Sequence, residues 1–89
     1  MYYVYILYSA TTDTFYRGQT KNLDDRIKRH NAGKENFTSK GIPWELIWSA
    51  KKGSRSEAIV LERKLKNMGR DKLIQFMIKY KETLPARTH

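Results

Sequence analysis

Residues 2–9, Tyr2-Tyr3-Val4-Tyr5-Ile6-Leu7-Tyr8-Ser9, are almost all aromatic, β-branched or aliphatic. A strand with one solvated face would alternate apolar and polar positions. This run does not, and it predicts a central strand buried on both faces. Ala10 to Asp13 is rich in Thr and Asp and predicts a turn, after which Thr14 to Thr20 reads as a second strand ending near Gly18. So short a connection implies an antiparallel hairpin. Asn22 can cap a helix whose first turn carries Asp24 and Asp25, where negative charge meets the positive end of the helix dipole; that helix should stop at Gly33. Lys34 to Gly41 is polar, has no periodicity and reads as an exposed loop. Pro43-Trp44-Glu45-Leu46-Ile47-Trp48 predicts a third strand, with Pro43 at its first position, where the missing N–H does least harm, and with Lys51-Lys52-Gly53 closing it.

Ser54 followed by Glu57 has capping-box spacing, and Ala58, Leu61, Leu65 and Met68 recur at helical intervals until Gly69. After a break around Gly69-Arg70, Leu73, Phe76, Met77 and Tyr80 form another stripe and predict a third amphipathic helix. The expected architecture is α/β: a small three-stranded antiparallel sheet flanked by helices, in the order β-β-α-β-α-α. It forms one domain over residues 1–82, with 83–89 as a loose tail.

The first helix breaks its own pattern. Residues 23, 26, 27 and 30 share one face, so Arg26 and His30 lie on the stripe set by Leu23 and Ile27. A guanidinium on a core-facing stripe is costly unless it meets partners, so polar groups are expected opposite. Snorkelling of Arg26 and a structural role for His30 would explain either residue alone; both on one face favour a site. Tyr5 lies on one face of the first strand with Tyr3 and Leu7, and Tyr16 on one face of the second with Gly18 and Thr20. The two tyrosines therefore share a surface if the hairpin register allows it. Glu62 borders the stripe of the second helix, where it could pair with Lys66 four residues on or, as a hard oxygen ligand, hold Mg²⁺.

Composition narrows the chemistry. The chain has 89 residues, room for one core and one site, since a domain of this size buries only about 60 to 65% of its unfolded surface. It has no cysteine, which excludes disulfides, thiolate zinc sites and cysteine nucleophiles. With no apolar run of membrane-spanning length and no signal-peptide pattern, a cytoplasmic protein without a membrane partner is expected. Eighteen Lys+Arg against nine Asp+Glu give a net charge of +9, which favours a polyanionic partner, nucleic acid first.

Taken in order, Tyr3-Val4-Tyr5, Tyr16-Arg17-Gly18-Gln19-Thr20, the helix from Asn22 to Arg26 with His30, the segment Thr38 to Trp44 with Pro43, and Glu57-Ala58 leading to Glu62 resemble the GIY-YIG nuclease superfamily. The short standalone bacterial-type members look most similar. The resemblance covers Tyr2 to about Lys66. It implies metal-dependent hydrolysis of DNA phosphodiesters, serving repair, recombination or processing, with Mg²⁺ or Mn²⁺ held by Glu62. Tyr5 and Tyr16 would surround the attacking water, one of them as general base, Arg26 would stabilise charge on the phosphate, and His30 would assist proton transfer. Arg17 stands where relatives carry an aliphatic residue and Gln19 where some carry lysine. Arg17, Gln19, Lys21 and Lys40 would contact DNA. A protein partner or a homodimer could supply the substrate capture that a separate DNA-reading domain provides elsewhere. The alternative is a non-catalytic nucleic-acid-binding module on the same scaffold.

Overall fold

The computed structural model describes residues 1–81, so the proposed end of the domain at residue 82 and the tail at 83–89 lie outside the described residues. Strands β1 (Tyr2–Ser9), β2 (Thr14–Thr20) and β3 (Trp44–Lys52) form an antiparallel sheet in the order β2-β1-β3. Helix α1 (Leu23–Asn31) follows the hairpin, α2 (Arg55–Lys66) follows β3, and α3 (Arg70–Lys79) comes last. The expected α/β architecture and element order are therefore those of the protein.

β1 is central and buried on both faces, as its unbroken apolar run requires. Val4 and Ile6 pack with Trp48, Ala58, Leu65 and Leu73, on the face covered by α2 and α3. Tyr5 and Leu7 pack on the other face with Trp44, Tyr16, Leu23 and Ile27, under α1. Completely burying side chains such as Ile6, Leu65 and Leu73 stabilises the fold by about 1.5–3 kcal/mol each. Two cores from a single strand are how so short a chain covers its sheet.

The third strand departs from simple alternation. Ile6 pairs with Trp48 but Leu7 pairs with Leu46, leaving Ile47 as the extra residue of a β-bulge. The bulge resets the pleat, so Trp44 and Leu46 join the α1 face while Trp48 joins the α2/α3 face. The strand also begins at Trp44 rather than Pro43 and runs through Lys52, past the expected close at Lys51.

The caps behave as their residue types dictate. Asn22 accepts the Asp25 N–H at 3.0 Å. Ser54 accepts the Glu57 N–H at 3.2 Å, while Glu57 Oε1 reaches back to the Gly53 N–H at 3.1 Å. Helix α1 ends at Asn31, two residues before the expected stop, and Gly33 closes it at φ +75°, a conformation that glycine adopts without strain. One expectation is corrected outright. The segment read as an exposed loop contains a 3₁₀ helix, Asn36–Gly41, whose Thr38 and Gly41 are buried. Its polarity had concealed inward-facing groups.

Candidate active site

The hairpin register places Gly18 opposite Tyr5 and Tyr16 opposite Leu7, so Tyr5 and Tyr16 are diagonal neighbours on one face. Their ring centroids lie 6.2 Å apart. Gly18 is there because the Tyr5 ring lies over it: a Cβ at this position would sit 2.5 Å from the Tyr5 hydroxyl oxygen. The glycine makes room for a side chain.

From α1, His30 turns into the same space and is 1% exposed. Its ring lies 5.9 Å from that of Tyr5 and 4.9 Å from that of Tyr16. His30 Nε2 is 3.0 Å from the Tyr5 hydroxyl and Nδ1 is 2.7 Å from Thr38 Oγ1. One tautomer is consistent with all of these contacts. The Thr38 hydroxyl donates to the Glu35 carbonyl at 3.3 Å, leaving its oxygen to accept from His30 Nδ1–H. Nε2 then carries the lone pair and accepts the Tyr5 O–H. Sequence reasoning gave Thr38 no role of its own, although a hydroxyl eight residues from a buried histidine could have signalled one. Asn31 was also missed; it accepts the Trp44 N–H and donates to the Trp44 carbonyl, joining the end of α1 to the start of β3.

The electrostatics follow from burial. Desolvation pushes the Tyr5 phenol far above its ordinary value, with the Tyr16 phenol adding to the shift and Arg26 opposing it. Tyr16 is raised as well, chiefly by burial, with Lys66 and Arg26 acting against the rise and Glu62 and Glu35 with it. His30 is lowered, first by burial, so the imidazole is neutral around pH 7. Arg26, half-buried on α1, acts by charge on Tyr5, Tyr16, His30 and Glu35, and by a hydrogen bond on Tyr5 as well. The polar partners expected opposite Arg26 are thus in place.

Glu62 lies near enough to Tyr16 to influence it, and its Oε2 is paired with Lys66 Nζ at 3.0 Å. Among the described residues, no three acidic or histidine side chains converge. A donor set of one carboxylate suits Mg²⁺, which takes most of its shell from water and substrate phosphates, and is too sparse for a closed structural zinc site.

The four residues expected to contact DNA do not lie together. Lys40, in the 3₁₀ helix, lines a groove with Tyr16. Lys21 is exposed just beyond β2, over the Tyr2 ring. Gln19 pairs with Val4, on the opposite face from Tyr16. Arg17 shares that opposite face, half-buried, and its Nη2 donates to the Met68 carbonyl at 2.9 Å; its guanidinium ties the edge strand to the α2–α3 junction.

The whole set of Tyr3-Val4-Tyr5, Tyr16-Arg17-Gly18, Arg26, His30 and Glu62 falls within residues 1–75, the span that matches the GIY-YIG catalytic domain. The chain belongs to the GIY-YIG family. A UPF0213 protein from Natronomonas pharaonis is 35% identical over 72 residues, covering 80% of this chain and 84% of its own. One from Staphylococcus haemolyticus is 32% identical over 77 residues, covering 85% and 93%. The solution NMR structure of a UPF0213 protein from Bacillus halodurans matches with a TM-score of 0.60 and 32% identity, over 97% of this chain and 90% of that one. The GIY-YIG fold is a nuclease fold, and the three-stranded sheet with its flanking helices is this chain's version of it.

Proposed function

We propose that the protein is a divalent-metal-dependent DNA endonuclease that hydrolyses phosphodiester bonds, with a role in DNA repair, recombination or processing. The observation that carries this reading is the buried Tyr5–His30–Thr38 chain with Tyr16 against it and Arg26 among them. Such a set is difficult to explain by packing. Burying the Tyr5 and Thr38 hydroxyls and the His30 imidazole beside one another costs desolvation that apolar side chains would avoid, and the half-buried Arg26 adds to it.

The roles divide by exposure. Tyr5 is fully buried and its O–H is donated to His30, so it acts through that hydrogen bond, holding the imidazole in place. Tyr16 is the more open of the two and lies near two cations, Lys66 and Arg26. It is the better placed to hydrogen-bond and orient the attacking water; to take that water's proton it would first have to lose its own, which burial opposes and the two cations favour. Arg26 stabilises the charge that grows on the phosphate, the main resource in phosphoryl chemistry. Glu62 would hold Mg²⁺ or Mn²⁺, which supplies Lewis-acid polarisation of the phosphate when bound; Lys66 would have to yield its place on the carboxylate.

The test is cleavage of branched, nicked, single-stranded and duplex DNA with Mg²⁺ or Mn²⁺. Tyr16→Phe should lower the rate by about 10²-fold or more, and Glu62→Ala should abolish metal-dependent cutting. Cutting that survives both substitutions would belong to a contaminant and sink the proposal. The Lys66–Glu62 pair favours the one rival, a non-catalytic binding module; salt-dependent DNA binding without cleavage of any of these substrates would establish it.

A further inference from the structure

Phe37 is 92% exposed, yet it is not on a loose segment. It stands on the 3₁₀ helix one residue before Thr38, which is pinned from several sides. His30 Nδ1 reaches the Thr38 hydroxyl at 2.7 Å, Trp44 Nε1 donates to the Thr38 carbonyl at 2.7 Å, and the Thr38 N–H donates to the Glu35 carbonyl at 3.1 Å. An ordered backbone therefore presents a whole phenyl ring to water, forgoing the burial that normally accounts for phenylalanine. The ring borders a groove of about 440 Å³ whose walls also include Tyr16, Trp44, Lys40 and the threonines at 12 and 14. Those walls carry a cation and no carboxylate among the described residues. Tyr16 thus belongs both to the candidate active site and to this groove.

We propose that this groove is a nucleobase subsite, in which Phe37 stacks on an unpaired base of the DNA strand next to the scissile phosphate while Lys40 neutralises a neighbouring phosphate. An aromatic ring beside a lysine, in a groove without acidic groups, is the pairing that single-stranded nucleic acid requires: one face for the base and one charge for the backbone. With a lysine and no carboxylate on the described walls, the charge balance selects a polyanion. The base must be unpaired because its faces are covered by neighbours inside a duplex. The inference rests on the nuclease reading of the adjoining site and adds a substrate class to it: DNA with an unpaired nucleotide at the cleavage position, such as a flap, loop or single strand, in preference to continuous duplex.

Fluorescence anisotropy with labelled single-stranded, flapped and fully paired oligonucleotides in EDTA separates binding from cutting. Phe37→Ala should weaken binding of the single-stranded and flapped probes about tenfold or more and leave the paired probe nearly unchanged, whereas Phe37→Trp should retain the preference. Lys40→Ala should weaken all three and reduce the steepness of the salt dependence by about one. Equal affinities of wild type and Phe37→Ala for every probe would overturn the subsite, even if metal-dependent cleavage were found and the nuclease reading stood. A Phe37-dependent preference with no cleavage in any metal would uphold the subsite and remove the nuclease. Sedimentation showing a wild-type dimer that Phe37→Ala dissolves would assign the ring to a second copy and overturn the proposal.

Discussion

His30 is held neutral by two effects that act together. Burial disfavours the imidazolium, and the hydrogen bond from Tyr5 requires a lone pair on Nε2. The consequence for stability has a definite sign. In the folded protein its pKa lies below the unfolded value of about 6.5, so between the two the unfolded chain binds more protons and stability rises with pH. Stability from this residue is therefore present above about pH 6.5 and lost as the pH falls below it. Glu35 and Asp13 also have lowered pKa values, but as carboxylates they act in a more acidic window. Urea unfolding at pH 7 and pH 5 should show the wild type losing stability relative to His30→Gln; parallel losses would mean that the imidazole is not buried neutral. The same protonation would remove the acceptor for Tyr5, so activity should decline over the same range.

At the scale of the element, the 3₁₀ helix is the part that extends the Tyr5–His30 contact into a longer hydrogen-bonded chain. Thr38→Val keeps the shape but leaves His30 Nδ1–H without its acceptor, at a cost of about 1–3 kcal/mol. The ring can recover by moving its proton to Nε2, which would then confront the Tyr5 oxygen as a donor. Ring ¹⁵N shifts should report that change from an Nδ1–H to an Nε2–H tautomer, and an unaltered tautomer would show that Thr38 does not direct it. This element also marks where the sequence stops being legible. β1, β2 and the helices follow from apolar runs, helical stripes and caps, and the site side chains on α1 stood out as polar groups on an apolar stripe. Two turns of 3₁₀ helix with two buried residues are too short to show a period. The bulge at Ile47 is likewise set by the need to feed two cores from β3, and Arg17 finds Met68, 51 residues away, through the tertiary fold alone.

For the molecule as a whole, a charge of +9 supplies attraction to any polyanion, while the arrangement around Glu62 decides what that attraction does. With Lys66 paired to Glu62, one cation near Tyr16 is neutralised and one carboxylate lies near the phosphate position of the proposed reaction. Removing the carboxylate should release Lys66 and eliminate a repulsive charge together. Glu62→Ala is therefore expected to bind DNA in EDTA more tightly than wild type, with a log–log salt dependence steeper by about one, the increment for one additional phosphate contact. A carboxylate whose loss strengthens binding while it abolishes cutting would serve chemistry rather than capture. Weaker binding by Glu62→Ala at every salt concentration would show instead that the Glu62–Lys66 pair shapes the DNA-binding surface, and that Lys66 is needed where it stands.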